Sequence, residues 1–247
     1  MSADPVVIVS DVHLGYAPPE IARAFHRFLE RVPDLGCHLV VNGDLFEFWF
    51  EYREVIPRAA FPTLQALGRL RRAGVRLTVT GGNHDRWGGT FWRDEVDAAF
   101  HPGEVELDLA GHRALVTHGD GIGDGQWHAR ALHSVVRHPL TARLFRWMHP
   151  DLGIALVRRV SPLLSGKARD ESIVRRHAEA QAAHARTLLG ERDDLALVVM
   201  GHTHRAALEQ VAPGRWYLNP GAFLEGLRYA VVERDGPRME RFATSTG

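Results

Sequence analysis

Five short segments of the 247-residue chain combine histidine with aspartate or asparagine, and they read DVH, NGD, GNHD, THGD and GHTH. The residues in them that could ligate a metal ion are Asp11, His13, Asp44, Asn83, His118, His202 and His204. Carboxylate, amide and imidazole groups without a thiolate suit two borderline-to-hard divalent cations such as Mn²⁺, Fe²⁺ or Zn²⁺. Two such ions stabilise both the attacking and the leaving oxygen of an in-line displacement at phosphorus. Together the segments predict a dinuclear metal site suited to phosphoester chemistry.

Each segment taken alone has an ordinary explanation. A single histidine is more often a surface residue or a satisfied core residue, and the pair Asp11 and His13 could cap a helix. The prediction depends on the occurrence of all five segments in order, with a glycine next to most of the ligands. The neighbouring glycines are Gly43, Gly82, Gly119 and Gly201. They would let the backbone turn sharply and come close to the ions.

Every one of these segments follows a predicted strand, and the five strands cover residues 6–10, 38–42, 75–80, 113–117 and 195–200. Helices are predicted between the first three strands, at about 19–31 and 55–73. This β-α-β-α-β order favours a largely parallel sheet with helices outside it. Ligands bind beyond the carboxyl ends of the strands in such sheets, so the five segments should meet at one rim.

The second half of the chain changes character. A hairpin is predicted where strands 105–109 and 113–117 flank Ala110-Gly111-His112. Residues 126–190 are predicted to be helical, with breaks at Pro139, Pro150 and Pro162. Strands return at 207–212, 216–219 and 229–233. We predict a single α/β domain over residues 1–247, with a helical insertion at 126–170 that forms a cap.

The composition is that of a soluble globular protein, with 45% hydrophobic and 24% charged residues. Thirty basic residues balance thirty acidic ones, so the charge does not favour a nucleic-acid partner. The single cysteine, Cys37, excludes an internal disulfide framework and fits a reducing compartment. We find neither a signal peptide nor an apolar run of the roughly 18 residues that a membrane span requires. The expected location is the cytoplasm.

The five segments as a set resemble the signature of the calcineurin-like metallophosphoesterase superfamily, from Val6 to about Gly221. The resemblance implies an α/β sandwich of two mixed β-sheets flanked by helices. It implies that one metal is held by Asp11, His13, Asp44 and His204. It implies that the second is held by Asp44, Asn83, His118 and His202, so that Asp44 bridges the two ions.

The same resemblance implies a mechanism. Hydroxide held between the ions would form near neutral pH and attack phosphorus in line. His84, next to Asn83, is the expected general acid, and Glu47 is expected to orient it, with a solvated residue at a helix entry as the alternative for Glu47. Asp85 completes the GNHD segment and is included among the expected catalytic residues.

Two blocks, SDVHLGY and GDLFEFW, are similar to those of UDP-2,3-diacylglucosamine pyrophosphatases, a family of lipid A biosynthesis. Those enzymes carry a cap over the acyl chains, in the place of the insertion here. The segment 137–169 holds seven basic residues and one acid among aliphatic and aromatic residues, which suits an anionic lipid or the inner face of the plasma membrane. The alternative is a helical hairpin that buries its apolar stripe on the body. The residues expected to bind substrate are Arg86, Asp124, Trp127, Ser165 and Lys167.

Two features depart from that lipid family. Many of its members have GNRD where this chain has GNHD, and WYLNPGAF is closer to a block of generic phosphodiesterases. Three functions therefore stay open: a Mn²⁺-dependent pyrophosphatase acting on a UDP-sugar lipid, a phosphodiesterase or phosphomonoesterase acting on nucleotides or other small phosphoesters, and a metal-bearing scaffold without turnover. The presence of every expected ligand and of His84 disfavours the scaffold.

Overall fold

The computed structural model describes residues 4–123, 138–165 and 170–243. In this part of the chain, two mixed β-sheets pack face to face, and helices cover their outer faces. The predicted fold class, a sandwich of two mixed sheets flanked by helices, is confirmed.

The first sheet has six strands in the order β11-β10-β1-β2-β3-β4. Its strands are β1 (Val6–Val9), β2 (His38–Asn42), β3 (Arg76–Thr80), β4 (Ala99–His101), β10 (Arg228–Glu233) and β11 (Gly236–Arg241). The four strands β1 to β4 are parallel, and β10 pairs with β1 in the antiparallel sense. The carboxyl ends of β1, β2 and β3 therefore lie at the same edge of the sheet.

The second sheet has five strands in the order β5-β6-β7-β9-β8. They are β5 (Val105–Leu109), β6 (His112–Val116), β7 (Leu197–Val199), β8 (Ala207–Ala212) and β9 (Arg215–Asn219). The predicted hairpin joins β5 and β6, and Ala110 and Gly111 in its turn both have positive φ, which a tight two-residue hairpin turn requires. Strands β6 and β7 are parallel, so their carboxyl ends also share an edge.

Seven α-helices occur in the described residues, and a 3-10 helix (Arg58–Ala60) precedes the second of them. The α-helices are α1 (Pro19–Leu35), α2 (Phe61–Arg72), α3 (Phe91–Val96), α4 (Pro139–Trp147), α5 (Pro150–Ser165), α6 (Glu171–Glu191) and α7 (Phe223–Gly226). Helices α4, α5 and α6 all lie in the chain between β6 and β7, where the helical insertion is predicted. None of the helices in the described ranges has the length and apolar character that crossing a membrane requires.

Apolar periodicity explains the layers. On α1, Phe25, Phe28, Leu29 and Val32 recur at helical spacing and pack on the outer face of the first sheet. All four residues of β1 are buried, because alternate side chains face the helices and the second sheet. Helix α6 covers the outer face of the second sheet. This packing leaves the carboxyl ends of both parallel strand sets free to carry a site.

Several predicted boundaries were wrong. Helix α2 begins at Phe61 rather than near residue 55, because Pro57 disfavours helical backbone in the residue before it. Pro139 and Pro150 each begin a helix, which is a position where proline is tolerated, and α5 continues past residue 162 to Ser165.

The sequence analysis also missed β4, β11 and helices α3 and α7. Strand β4 has three residues, and β11 is a polar edge strand that contains Pro237. The two helices are only six and four residues long, so neither produces a clear helical pattern.

Candidate metal centre

The loops that follow β1, β2, β3, β6 and β7 meet at one rim of the sandwich, and each carries predicted ligands. Asn42, at the end of β2, connects the two sheets there. Its side-chain oxygen accepts a hydrogen bond from Thr80 Oγ1 at 2.8 Å, and its Nδ2 donates to the carbonyl oxygen of Thr117 at 3.0 Å. The ends of β2, β3 and β6 are thereby held together beneath the site.

The backbone is strained at most of the predicted ligands. Asp11, His13, Asp44, His202 and His204 have φ angles between 51° and 68°. Residues other than glycine cost about 1–3 kcal/mol each in sparsely populated backbone regions of this kind, and such strain concentrates at functional sites. The fold therefore holds these five side chains in directions that relaxed backbone would not give them.

Glycine allows the loops to approach each other closely at one of these positions. A Cβ atom added at Gly82 would collide with the carboxylate of Asp44. The predicted role of this glycine, which is to bring the backbone close to the ligands, agrees with that geometry.

One cluster of possible ligand atoms consists of Asp11, His13 and His204. His204 Nε2 lies 3.4 Å from Asp11 Oδ1, and the rings of His13 and His204 are 5.3 Å apart between centroids. Asp11 Oδ1 and His13 Nε2 are buried, and neither has a hydrogen-bond partner among the described residues. Buried polar atoms of this kind are costly unless a ligand or ion satisfies them.

The second cluster consists of Asp44, His118 and His202. His118 Nε2 lies 3.1 Å from Asp44 Oδ2, and the His13 Nε2 atom of the first cluster lies 3.8 Å from the same oxygen. Asp44 therefore faces both clusters. Asn83 Oδ1 is a further buried oxygen without a hydrogen-bond partner in the described residues.

The electrostatics of the two clusters favour bound positive charge. Burial opposes ionisation of Asp11, but His204 and His118 outweigh it and lower the pKa of Asp11 to about 2. Burial also opposes ionisation of Asp44, and His118 outweighs it, so the pKa of Asp44 lies well below its usual value. Burial and the neighbouring His118 lower the pKa of His202 to about 4. Buried carboxylates that recruit imidazole protons in this way would equally accept the charge of a divalent cation.

The donor set and the unsatisfied buried atoms fit two divalent cations that share Asp44. Oxygen and imidazole donors without thiolate match borderline-to-hard divalent ions. The residues in the first cluster agree with the set implied by the family resemblance, and so do those in the second. Their role as metal ligands remains a proposal that the geometry supports.

The predicted pairing of Glu47 with His84 stays a prediction, and the structure shows that two different groups of Glu47 approach the His84 ring. His84 Nδ1 lies 2.8 Å from the backbone carbonyl oxygen of Glu47, whereas the carboxylate is 3.8 Å away. The Glu47 carboxylate instead contacts His13 Nδ1 at 2.9 Å. The main chain of Glu47 therefore orients His84, because its side chain is turned toward the first cluster.

The expected catalytic role of Asp85 stays a prediction, and the structure shows a supporting position for this residue. Its carboxylate is almost fully buried and accepts hydrogen bonds from the backbone N–H groups of Asp44, Leu45, Phe46 and Gly82. Burial and the nearby Asp44 raise its pKa to about 6, although the backbone donors favour the charged form. Asp85 thus fixes the loop that carries Asp44.

The structure describes only part of the predicted substrate-binding set. Arg86 lies at the rim with its guanidinium 3.7 Å from the carboxylate of Asp120. Asp124, Trp127 and Lys167 lie outside the described residues. Ser165 is the last residue of α5, and its side chain is likewise outside what the structure describes.

Helix α4 packs beside the rim through one aromatic residue. The ring of Phe145 lies 4.9 Å from Phe50, 5.6 Å from Phe48 and 6.5 Å from Trp87 between centroids. These partners belong to the loops that follow β2 and β3, which also carry Asp44 and His84. Elsewhere on α4 and on α5, large apolar side chains are exposed: Leu140, Leu144, Trp147, Leu152 and Leu156. We call these five residues the exposed cap face.

Sequence reasoning missed two residues that support the site. Gln181 of α6 is fully buried, and its Nε2 donates to the carbonyl oxygens of Gly119 and Gly201, which adjoin candidate ligands. Glu225 of α7 contacts His204 Nδ1 at 2.8 Å. Both lie outside the five segments and are of common residue types. The NPGAF block, which ends two residues before Glu225, was the one available signal.

A family model described as calcineurin-like phosphoesterase matches residues 4–206, so the chain belongs to that family. The predicted family and hydrolase class are thereby confirmed. Calcineurin-like phosphoesterases bind divalent metals, in agreement with the two clusters.

Curated relatives of this chain carry the name UDP-2,3-diacylglucosamine hydrolase, among them proteins from Bordetella parapertussis and Porphyromonas gingivalis. The one from Bordetella parapertussis is 31% identical over 212 residues, which are 82% of this chain and 78% of that protein. The one from Porphyromonas gingivalis is 29% identical over 161 residues, and the match spans 63% of this chain and 62% of the relative. Among solved structures, vacuolar protein sorting 29 from Cryptosporidium parvum aligns with a TM-score of 0.46 at 12% identity, covering 96% of this chain and 95% of that one.

Proposed function

We propose that this chain hydrolyses the pyrophosphate bond of UDP-2,3-diacylglucosamine, releasing UMP and 2,3-diacylglucosamine 1-phosphate. The observation that carries the proposal is the position of α4. Phe145 fixes this helix on the loops that carry Asp44 and His84, while other apolar side chains of the helix remain exposed. A phosphate-directed site and an apolar surface are thus neighbours, as a substrate with a charged pyrophosphate and acyl chains requires.

The metal that we propose is Mn²⁺, with Fe²⁺ or Zn²⁺ as alternatives that the same donor set accepts. When bound, two such ions would supply Lewis acidity to the phosphate oxygens and lower the pKa of water. The side chains of Asp11, His13, Asp44 and His204 would hold one ion, and those of Asp44, Asn83, His118 and His202 the other.

The remaining chemistry is assigned to His84. Its Nδ1 is hydrogen bonded to the Glu47 carbonyl oxygen, so Nε2 is the atom available to the substrate. Its ring is 5.0 Å from the ring of His13, which places it at the edge of the first cluster. We infer that His84 Nε2 donates a proton to the leaving oxygen as the phosphorus–oxygen bond breaks.

The substrate is inferred from the curated relatives and from the exposed cap face. Trp147 is 87% exposed and Leu144 is 72% exposed, which is unusual for large apolar residues on a folded surface. Arg143 and Arg146 are exposed on the same helix, so the surface is apolar and basic together. We infer that this face contacts the acyl chains of the substrate in a lipid surface that carries anionic headgroups.

A second function is favoured by one feature of the chain. His84 stands where many lipid-specific relatives have arginine, and a histidine that donates a proton serves a simple phosphodiester or phosphomonoester equally well. The second candidate is therefore a metallophosphodiesterase or phosphomonoesterase that acts on nucleotides or other small phosphoesters.

The deciding experiment uses purified protein and Mn²⁺ with UDP-2,3-diacylglucosamine, and bis-p-nitrophenyl phosphate in a parallel reaction. We expect release of UMP from the lipid and its loss in the variant Asp44→Ala. Hydrolysis of the chromogenic diester without release of UMP would reject the lipid substrate and support the second candidate. No hydrolysis of either compound would reject both.

A further inference from the structure

Two histidines of the first cluster each have a glutamate at the ring nitrogen that faces away from the cluster. His204 Nδ1 lies 2.8 Å from Glu225 Oε1, and His13 Nδ1 lies 2.9 Å from Glu47 Oε2. The Nε2 atoms of both rings consequently face the carboxylates at the centre, since His204 Nε2 is 3.4 Å from Asp11 Oδ1.

Glu225 is held in place by the segment that contains the NPGAF block. The backbone N–H of Phe223 donates to the carbonyl oxygen of Ser10 at 3.0 Å, and that of Leu224 donates to the carbonyl oxygen of Asp11 at 3.2 Å. Phe223 itself is fully buried and packs in the core beside Phe25 and α1. The start of α7 is therefore fixed to the loop that carries Asp11.

Asn219 connects this segment to the other half of the rim. Its side-chain oxygen accepts a hydrogen bond from the N–H of Gly221 at 2.9 Å, and its Nδ2 donates to the carbonyl oxygen of Gly201 at 3.0 Å. The loop of Gly201 carries His204. The NPGAF block thus holds Glu225 within contact distance of His204.

The second cluster is built differently. His118 Nδ1 contacts the backbone carbonyl oxygen of Asn42 at 3.0 Å, and no carboxylate among the described residues is hydrogen bonded to the ring of His202. A carboxylate at the distal nitrogen fixes the tautomer and raises the basicity of a ligating imidazole more than a neutral carbonyl does. The two clusters should therefore differ in cation affinity.

We propose that Glu225 is a positioning residue for His204 and that, with Glu47 on His13, it makes the Asp11–His13–His204 cluster the tighter of the two cation sites. This inference rests on the proposed function only in assuming that the clusters bind divalent cations. Removing such a partner lowers metal affinity by about 10–100-fold, and we expect the lower end because Glu225 is 60% exposed.

The test is calorimetric titration of metal-free protein with Mn²⁺, in the variant His202→Ala, which retains the first cluster. Adding Glu225→Gln should raise the Kd for Mn²⁺ about 10-fold. Glu209→Gln is the matched control, because Glu209 is an exposed glutamate paired with Arg186 on the second sheet, and it should leave the Kd unchanged.

The same substitution is then made in the variant His204→Ala, in which Glu225 has no imidazole to position. Glu225→Gln should not change the Kd there, because the effect acts through His204. An effect of equal size in both backgrounds would show a general structural role and overturn the inference. So would an unchanged Kd in the His202→Ala background.

The wild-type titration separates this inference from the proposed function. Binding of two Mn²⁺ ions with no effect of Glu225→Gln would reject the role of Glu225 while leaving the dinuclear site intact. Absence of Mn²⁺ binding by the wild type would reject the metal-dependent function itself. Thermal unfolding of the metal-free variants, expected to match that of the wild type, checks that each remains folded.

Discussion

His84 Nδ1 lies 2.8 Å from the backbone carbonyl oxygen of Glu47 rather than against the carboxylate of that residue. The main chain and the side chain of a single residue therefore support two different imidazoles, since the Glu47 carboxylate contacts His13. Substitutions at the two positions should separate proton transfer from cation binding.

Replacement of His84 should lower kcat and leave the content of bound metal unchanged. The variant His84→Gln removes the proposed proton donor, and we expect kcat to fall about 10²–10⁴-fold. Metal content, measured by inductively coupled plasma mass spectrometry, should stay at the wild-type value. Equal losses of turnover and metal would contradict the assignment of His84 as general acid.

Replacement of Glu47 should have the opposite pattern. In Glu47→Gln the backbone carbonyl that orients His84 is unchanged, but His13 loses its carboxylate partner. We expect a fall of about 10-fold in Mn²⁺ affinity. At saturating Mn²⁺, kcat should recover to near the wild-type value. A kcat that stays low at saturating metal would mean that the Glu47 carboxylate acts on His84 after all.

Asp85 should contribute to stability. The variant Asp85→Ala would leave four buried backbone N–H groups without their acceptor, and hydrogen bonds to a charged group contribute about 1.5–3 kcal/mol each. We expect the free energy of unfolding, measured in urea, to fall by about 3 kcal/mol or more.

The control for that measurement is Asp108→Ala. Asp108 is an exposed aspartate that accepts one backbone hydrogen bond, from Gly111. Its loss should cost about 1 kcal/mol or less. Similar effects of the two substitutions would show that Asp85 does not hold the Asp44 loop.

The exposed cap face should matter for a lipid substrate and for no other. The variants Leu144→Ser and Leu152→Ser remove apolar area without disturbing the core, and we expect KM for UDP-2,3-diacylglucosamine to rise several-fold. Hydrolysis of bis-p-nitrophenyl phosphate should be unchanged in both variants. Met239→Ser is the control, because Met239 is an exposed apolar residue on β11, and it should change neither activity. A KM for the lipid that equals the wild-type value in all variants would show that the exposed cap face does not bind the substrate.

His38 should make the stability of the protein depend on pH. Burial, with a smaller effect of Arg76, lowers its pKa from 6.5 to about 4, and its Nε2 is hydrogen bonded to Thr78 Oγ1. His38 is neutral in the folded chain and takes up a proton on unfolding, so its contribution is complete above pH 6.5. That contribution is lost as the pH falls through 6.5, and the loss levels off near pH 4, at about 3 kcal/mol.

The measurement is urea unfolding of the wild type and His38→Gln across this pH window. The difference between the two free energies of unfolding should shrink or reverse as the pH falls, because glutamine does not titrate. A difference that stays constant from pH 7 to pH 4 would contradict the depressed pKa of His38.

The parts of the site that could be predicted from the sequence are those whose geometry is local. Asp11 and His13 share one loop, and so do His202 and His204, so the ligand types can be read from short segments and the five segments together indicate the chemistry. The partners of these groups come from distant positions and ordinary residue types. Neither Gln181 nor Glu225 belongs to a motif, and only the fold brings them to the rim.

The same limit applies to the fold. The buried strands were predictable from their continuous apolar, β-branched runs, and α1 was predictable from its apolar periodicity. Strand β11 was not, since a polar edge strand with a proline carries little of that signal. The packing of Phe145 on Phe50 was equally hidden, because an aromatic residue in a basic helix does not indicate its partner.

The metal stoichiometry of the protein distinguishes two cation sites that share Asp44 from a single site or two independent ones. Native mass spectrometry of protein reconstituted with Mn²⁺ should find two ions per chain in the wild type and in Glu209→Gln. Asp44→Ala, checked to be folded, should lose both, because its carboxylate faces both clusters. A wild type with a single ion, or an Asp44→Ala variant that retains two, would contradict the account.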